Sequence, residues 1–226
     1  MKTRGNSMKL TFILVTMTAI LLTLFPVSPF ISAAEAASIV VDGDSSDWAG
    51  IPAISTNSGT ARVLKASHDD VNLYLLVEGS GLSTTMGSFW LNTDGNASTG
   101  YQAYGWGTTG IEWLLENQSL YRYSGDGSSW NWDWSSTLSS SQYVRTSSTI
   151  EAAIPLSTLG LTVGSTVNIG YLDNNSNVNR LPAQNQSLPV YTINERSPGG
   201  NMIEFYPPEL NDPLNNPFKG WAPSAK

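Results

Sequence analysis

Oxygen-bearing side chains alternate along Asn92, Asp94, Asn96 and Ser98, with Gly95 set among them. Amide, carboxylate and carbonyl oxygens in such a loop are the ligands calcium takes, about six to eight at a time. One carboxylate is too few, so a calcium site here would need acids from elsewhere, and Asp42 and Asp44 in the turn Asp42-Gly43-Asp44 could supply them. The spacing is not that of a helix-loop-helix calcium loop, which ends on a bidentate Glu between two helices. The competing reading is a tight turn at Asp94-Gly95. A held ion would be structural.

Rings carry the second candidate chemistry. Sugars present flat C–H faces that stack on indoles and phenols, while short amides, carboxylates and Arg pair with the hydroxyls. Tyr101, Tyr104 and Trp106 fall in a glycine-rich loop and are the preferred sugar contacts. Trp130-Asn131-Trp132-Asp133-Trp134 is the other group. On a strand its three indoles would share one face at steps of ~6.8 Å, a row able to track a sugar chain. The same row is also how a sandwich fills its core, and at least one of the three is expected there. Trp48, Trp90 and Trp113, in apolar or strand-like surroundings, are expected inside.

Catalytic constellations are weak. Glu112 and Glu116 would point the same way from one strand but lie ~14 Å apart, beyond the ~5–10 Å of a glycosidase pair. His68 is the only histidine, which excludes a multi-histidine metal site. Beside Asp69-Asp70 it reads as an exposed turn residue. No cysteine is present, so disulfides, thiol nucleophiles and thiolate metal sites are excluded. The net charge of −7 and pI near 4.5 argue against nucleic acid, whose phosphates need a basic patch.

The elements that must position these residues are strands. Period-two or β-type runs occur at 38–41, 62–66, 71–78, 88–92, 111–116, 120–123, 149–154, 167–172 and 189–193. In 71–78 the alternation is broken by Leu76. Asn117-Gln118 makes a two-residue hairpin connection. Residues 135–141 read as a polar link, and Pro155 to Gly160 as one helical turn ended by glycine. No amphipathic run is long enough for a substantial helix. About eight to ten short strands between turn signals predict an all-β chain, a single antiparallel β-sandwich of immunoglobulin-like or jelly-roll-like type.

The ends differ from the middle. Lys2, Arg4 and Lys9 precede an apolar run at 10–25, shorter than the ~20 residues that span a bilayer. Ala34-Glu35-Ala36 fits a cleavage site, so 1–36 reads as a secretory signal peptide and the product as secreted, without a membrane anchor. Residues 37–194 form the sandwich. Residues 195–226, with Pro198, Pro207, Pro208, Pro213, Pro217 and Pro223, read as a linker leading to a further domain.

Five segments in order resemble family 9 carbohydrate-binding modules and their DOMON-like relatives: residues 39–48 with the Asp-Gly turn and Trp48, 65–74 around Asp69-Asp70, 92–101, Glu112-Trp113, and 151–157 with Ile154-Pro155. Asn92 stands where aspartate is common. The resemblance implies a non-catalytic, extracellular module that recognises a polysaccharide or oligosaccharide, appended to a glycoside hydrolase as its downstream catalytic domain. The alternative is an accessory sandwich that packs on a catalytic domain or a cell-surface partner without binding sugar.

Overall fold

The computed structural model describes residues 38–107 and 109–195. The signal peptide expected at 1–36 and all but the first residue of the linker expected at 195–226 therefore lie outside the described residues. The chain runs through a 3₁₀ turn at Ser45–Trp48, then β1 (Ser55–Thr56), β2 (Ala61–His68), β3 (Asn72–Gly79), β4 (Gly87–Asn92), β5 (Trp113–Glu116), β6 (Ser119–Tyr123), β7 (Trp132–Thr137), β8 (Tyr143–Arg145), β9 (Thr149–Pro155), a one-turn helix α1 (Leu156–Leu159), β10 (Thr166–Asp173), β11 (Arg180–Leu181) and β12 (Val190–Thr192). Two antiparallel sheets result. The five-stranded one is ordered β1-β2-β3-β9-β8. The seven-stranded one is ordered β11-β10-β4-β5-β6-β7, with β12 also on β10. The fold is a β-sandwich.

Alternation places the core between the sheets. Leu73, Leu75 and Val77 of β3 and Ile150, Ala152 and Ile154 of β9 meet Phe89 and Leu91 of β4, Trp113 and Leu115 of β5 and Ile169 and Tyr171 of β10. Each large side chain so buried contributes ~1.5–3 kcal/mol. Leu76 points out of the sandwich and is still fully buried, because Trp48 and Ile39 pack over it. That cover explains the break in alternation.

Several sequence expectations change. Residues 38–41 pair with no strand; Ile39 instead joins the Trp48 cover. The strand expected at 111–116 starts at Trp113, and Ile111 makes an isolated bridge with Tyr101. The polar link at 135–141 is in part strand: β7 continues to Thr137, and Leu138 is buried in the core. As an edge strand β7 keeps mostly exposed side chains, so it shows no apolar alternation. His68 is buried rather than exposed, its ring nitrogens 2.7 Å from Tyr191 Oη and 3.0 Å from the Asn194 carbonyl.

Candidate functional site

The outward face of the seven-stranded sheet is aromatic. Strand alternation sends Phe89 and Leu91 inward and Trp90 outward, so Trp90 is buried as expected but in a second cluster with Trp106, Ile111, Leu114 and Leu188. Tyr101, Tyr121 and Trp132 pack around it half-buried. Its ring centroid lies 6.1 Å from those of Tyr101 and Trp106, 5.8 Å from Trp130 and 6.3 Å from Trp132. These are tilted and edge-to-face separations of the favourable range.

Trp106 was expected to offer an exposed ring, and this is corrected: it is 7% exposed. Its Nε1 donates to the Pro182 carbonyl at 2.9 Å, and the Arg180 guanidinium covers its face at 4.9 Å. Gly170, opposite Trp90 in the β10–β4 ladder, makes the space; a Cβ there would come within 3.1 Å of the Trp106 ring. Trp106 is therefore floor and not contact surface. Tyr104, two residues earlier, is 79% exposed.

The Trp row is also broken. Trp132 and Trp134 lie on β7, across from Tyr123 and Tyr121. Trp130 precedes the strand and belongs to the loop after β6. Asp126 shapes that loop: its Oδ1 accepts from the backbone N–H and hydroxyl of both Ser128 and Ser129. Those bonds, led by the Ser129 N–H, hold the Asp126 carboxyl well below the usual carboxylate range. Tyr123 Oη donates to the Ser129 carbonyl and accepts from Gly127 N, and Gln102 N donates to the Gly127 carbonyl. So tethered, the loop lays Trp130 5.3 Å from Tyr101 and 5.6 Å from Trp132, yet leaves it 58% exposed. Trp134 is 64% exposed and outside this ring cluster.

Trp130 stands between two hollows. One, about 300 Å³, is lined by Leu114, Glu116, Tyr121, Trp130, Asn131 and Trp132. The other, about 210 Å³, is lined by the rings of Trp90, Tyr101, Tyr104, Trp106 and Trp130 together with the polar side chains of Asn175, Asn177 and Arg180. Their combined size suits a small ligand in an open groove. Asn174 and Asn175 both hold left-handed backbone at φ 51°, as the central residues of the turn closed by Ser176 N on the Asp173 carbonyl, a conformation Asn readily adopts. Trp132 Nε1 is buried without a partner, which costs ~1–3 kcal/mol. A larger hollow of about 570 Å³ lies elsewhere, around His68, Asp70, Val71 and Val163 where the described chain ends. No Trp or Tyr lines it, so it lacks a stacking surface.

The five residues proposed for calcium do not form one cluster. Asp42 and Asp44 sit on the outside of the five-stranded sheet, where Glu151 accepts from Asp42 N and Gly43 N. Asn92, Asp94 and Asn96 lie at the end of β4 in the other sheet, more than a sheet-to-sheet spacing of ~10 Å away. There Asn92 Oδ1 accepts from Gly95 N, Asp94 Oδ1 from Asn96 N and Asn96 Oδ1 from Ser98 N, so each oxygen serves a turn. The carboxylate that does join Asp94 is Glu112: both approach the Thr99 hydroxyl, at 2.8 and 3.3 Å. Burial first, and then the Asp94 charge, push the Glu112 carboxyl up to about 7 against the pull of the Thr93 N–H. Among the described residues no three His, Asp or Glu side chains gather in one place.

Sequence reasoning missed Glu112 as the partner of Asp94, and Arg180 altogether. The signal for the latter was the amide-dense run at 174–179 leading into it. No family model and no curated protein matches the sequence.

Proposed function

We propose that this protein binds carbohydrate without cleaving it, in the groove on the outward face of the seven-stranded sheet. Trp130 is the stacking ring, Trp132, Tyr101 and Tyr104 flank it, and Asn131, Glu116, Asn175 and Asn177 answer the hydroxyls. The observation that carries this reading is Trp130 itself. A ring 58% exposed costs apolar hydration, yet a dedicated hydrogen-bonded loop holds it in place over Trp90 and Tyr101. Pre-organised rings lose little entropy on stacking. In the same proposal the chain is secreted and serves a glycoside hydrolase by raising its effective concentration on a polysaccharide.

A second reading follows from Trp134, exposed on the edge strand β7 and apart from the groove. It makes the sandwich an accessory that packs on a catalytic domain or cell-surface partner. Pull-down on a panel of insoluble polysaccharides, with and without calcium, decides between them. Retention on at least one, lost in Trp130→Ala and kept in Trp134→Ala, supports the groove. Retention on none favours the packing role.

A further inference from the structure

Arg180 is an anomaly in this acidic protein. It is 2% exposed, and no carboxylate pairs with it; the single ion pair among the described residues is Lys65 with Glu78. Of its five N–H donors, one is accepted by the Tyr104 carbonyl at 3.1 Å and one by Asn177 Oδ1 at 2.6 Å. Its Nε is buried without a partner. An unpaired buried cation is costly, and Trp106 offsets part of that through its π face. The site is built for the group: Gly105, at φ +92°, leaves the space the guanidinium fills, and any Cβ there would overlap it.

We infer that the smaller hollow, lined by Arg180, Asn177, Tyr104 and Trp130, takes an acidic sugar, a uronate whose carboxylate pairs with the Arg180 guanidinium while its ring stacks on an aromatic wall. The inference rests on the carbohydrate reading of the groove and narrows it. A guanidinium fork matches a carboxylate in geometry as well as charge. The neighbouring hollow carries Glu116 and no cation, so it repels a second carboxylate. The ligand is then a chain with an isolated or terminal uronate beside neutral units, not a run of uronates.

The test uses the full chain and calorimetric titration with xylan oligosaccharides that carry a single uronate, each alongside its carboxyl-reduced twin. The acidic member should bind about tenfold more tightly than its twin, as one charge-assisted hydrogen-bond pair predicts. Asn177→Asp places an internal carboxylate on Arg180. It should bring the ratio of the two affinities to one, with the melting temperature held or raised. A ratio that stays near ten in Asn177→Asp overturns the assignment to Arg180. Equal affinities in the wild type overturn the uronate inference and leave sugar binding standing. Binding of neither member removes both.

Discussion

The two outward faces of this sandwich use tryptophan in opposite ways. On the five-stranded sheet, Trp48 is fully buried over Leu76, and its Nε1 donates to Glu151 Oε1 at 2.7 Å. Glu151 in turn accepts from Asp42 N and Gly43 N, so the Asp-Gly turn, the indole and the strand form one satisfied unit. On the seven-stranded sheet, Trp130 is mostly exposed and Trp132 keeps an unpaired Nε1. Beneath them Trp90 and Trp106 form a closed floor, their Nε1 atoms donating to Ser88 Oγ and the Pro182 carbonyl, but the layer above that floor is open. A ring whose edge and faces are all matched is stabilising the fold. A ring fixed in place with a free face, beside unmatched donors, is prepared for something else.

The largest expected break in that comparison is Trp48→Ala. Loss of a fully buried indole costs ~3–5 kcal/mol, and it leaves Glu151, whose pKa burial already raises, with one donor fewer. At ~2–4 °C per kcal/mol for a domain of this size, the melting temperature should fall by roughly 10 °C, with polysaccharide retention by the folded fraction unchanged. Thermal unfolding and pull-down on the same sample check both halves. If retention falls in step with stability, the two faces are not independent.

Trp130→Ala should do the reverse. Its stability cost is about 1 kcal/mol or less, since over half the ring is already in water. Its affinity cost should be that of a hot spot, ~2 kcal/mol or a loss of roughly twentyfold or more. Titration against the best polysaccharide from the pull-down measures it. A large drop in melting temperature with intact affinity would return Trp130 to the scaffold and favour the packing role.

Glu112→Gln sharpens the contrast from the side of charge. The folded protein holds the Glu112 carboxyl at about 7 against an ordinary 4.5. The folded state therefore binds the proton more tightly than the unfolded chain. The contribution of Glu112 to stability is greatest below about pH 4.5, declines as pH rises through about 7, and is level above. The glutamine, which keeps an oxygen for the Thr93 N–H, should remove that decline. It should gain on the order of 1–2 kcal/mol at pH 8 after allowance for solvent screening, and little at pH 4. Melting temperatures at the two pH values test the sign, and an equal shift at both would refute it.

How far these faces were legible follows from where each residue finds its partners. β2, β3, β4, β9 and β10 were legible as short β-type runs, and β3 also as period-two alternation, which a core on one side of a strand enforces. Apolar neighbours also marked Trp90 as buried, but not by which layer: both faces of β4 are covered, so its six residues are all buried and period two is erased. Trp106 looked exposed because its loop is rich in glycine. The space that buries it is made by Gly170, and the bond that holds it by Pro182, both far along the chain. His68 failed for the same reason, its partners being Tyr191 and Asn194. Asp42 and Asp44 were grouped with Asp94 by chemical likeness, and the topology puts them on opposite sheets. Ring and amide content is local and could be read. Which rings are floor and which are surface is set by long-range packing.

The smallest expected effect bears on how the open face is kept open. Asp126 is fully exposed, touches no ring and lines neither hollow, so a plain surface view predicts no consequence from its loss. Its four hydrogen bonds to Ser128 and Ser129, however, close the turn immediately before Trp130. With Asp126→Ala the loop gains conformations, and the ring must be ordered at the moment of binding instead of beforehand. The melting temperature should barely move while affinity falls a few-fold, less than in Trp130→Ala. Asp126→Asn, which retains an acceptor, should recover part of it. In the wild type the same weakening should appear on acidification only well below the ordinary carboxylate range, because the folded loop holds Asp126 ionised there. Equal affinity of the alanine variant and the wild type would mean that Trp130 is held by its ring neighbours alone, and that the open face needs no loop to prepare it.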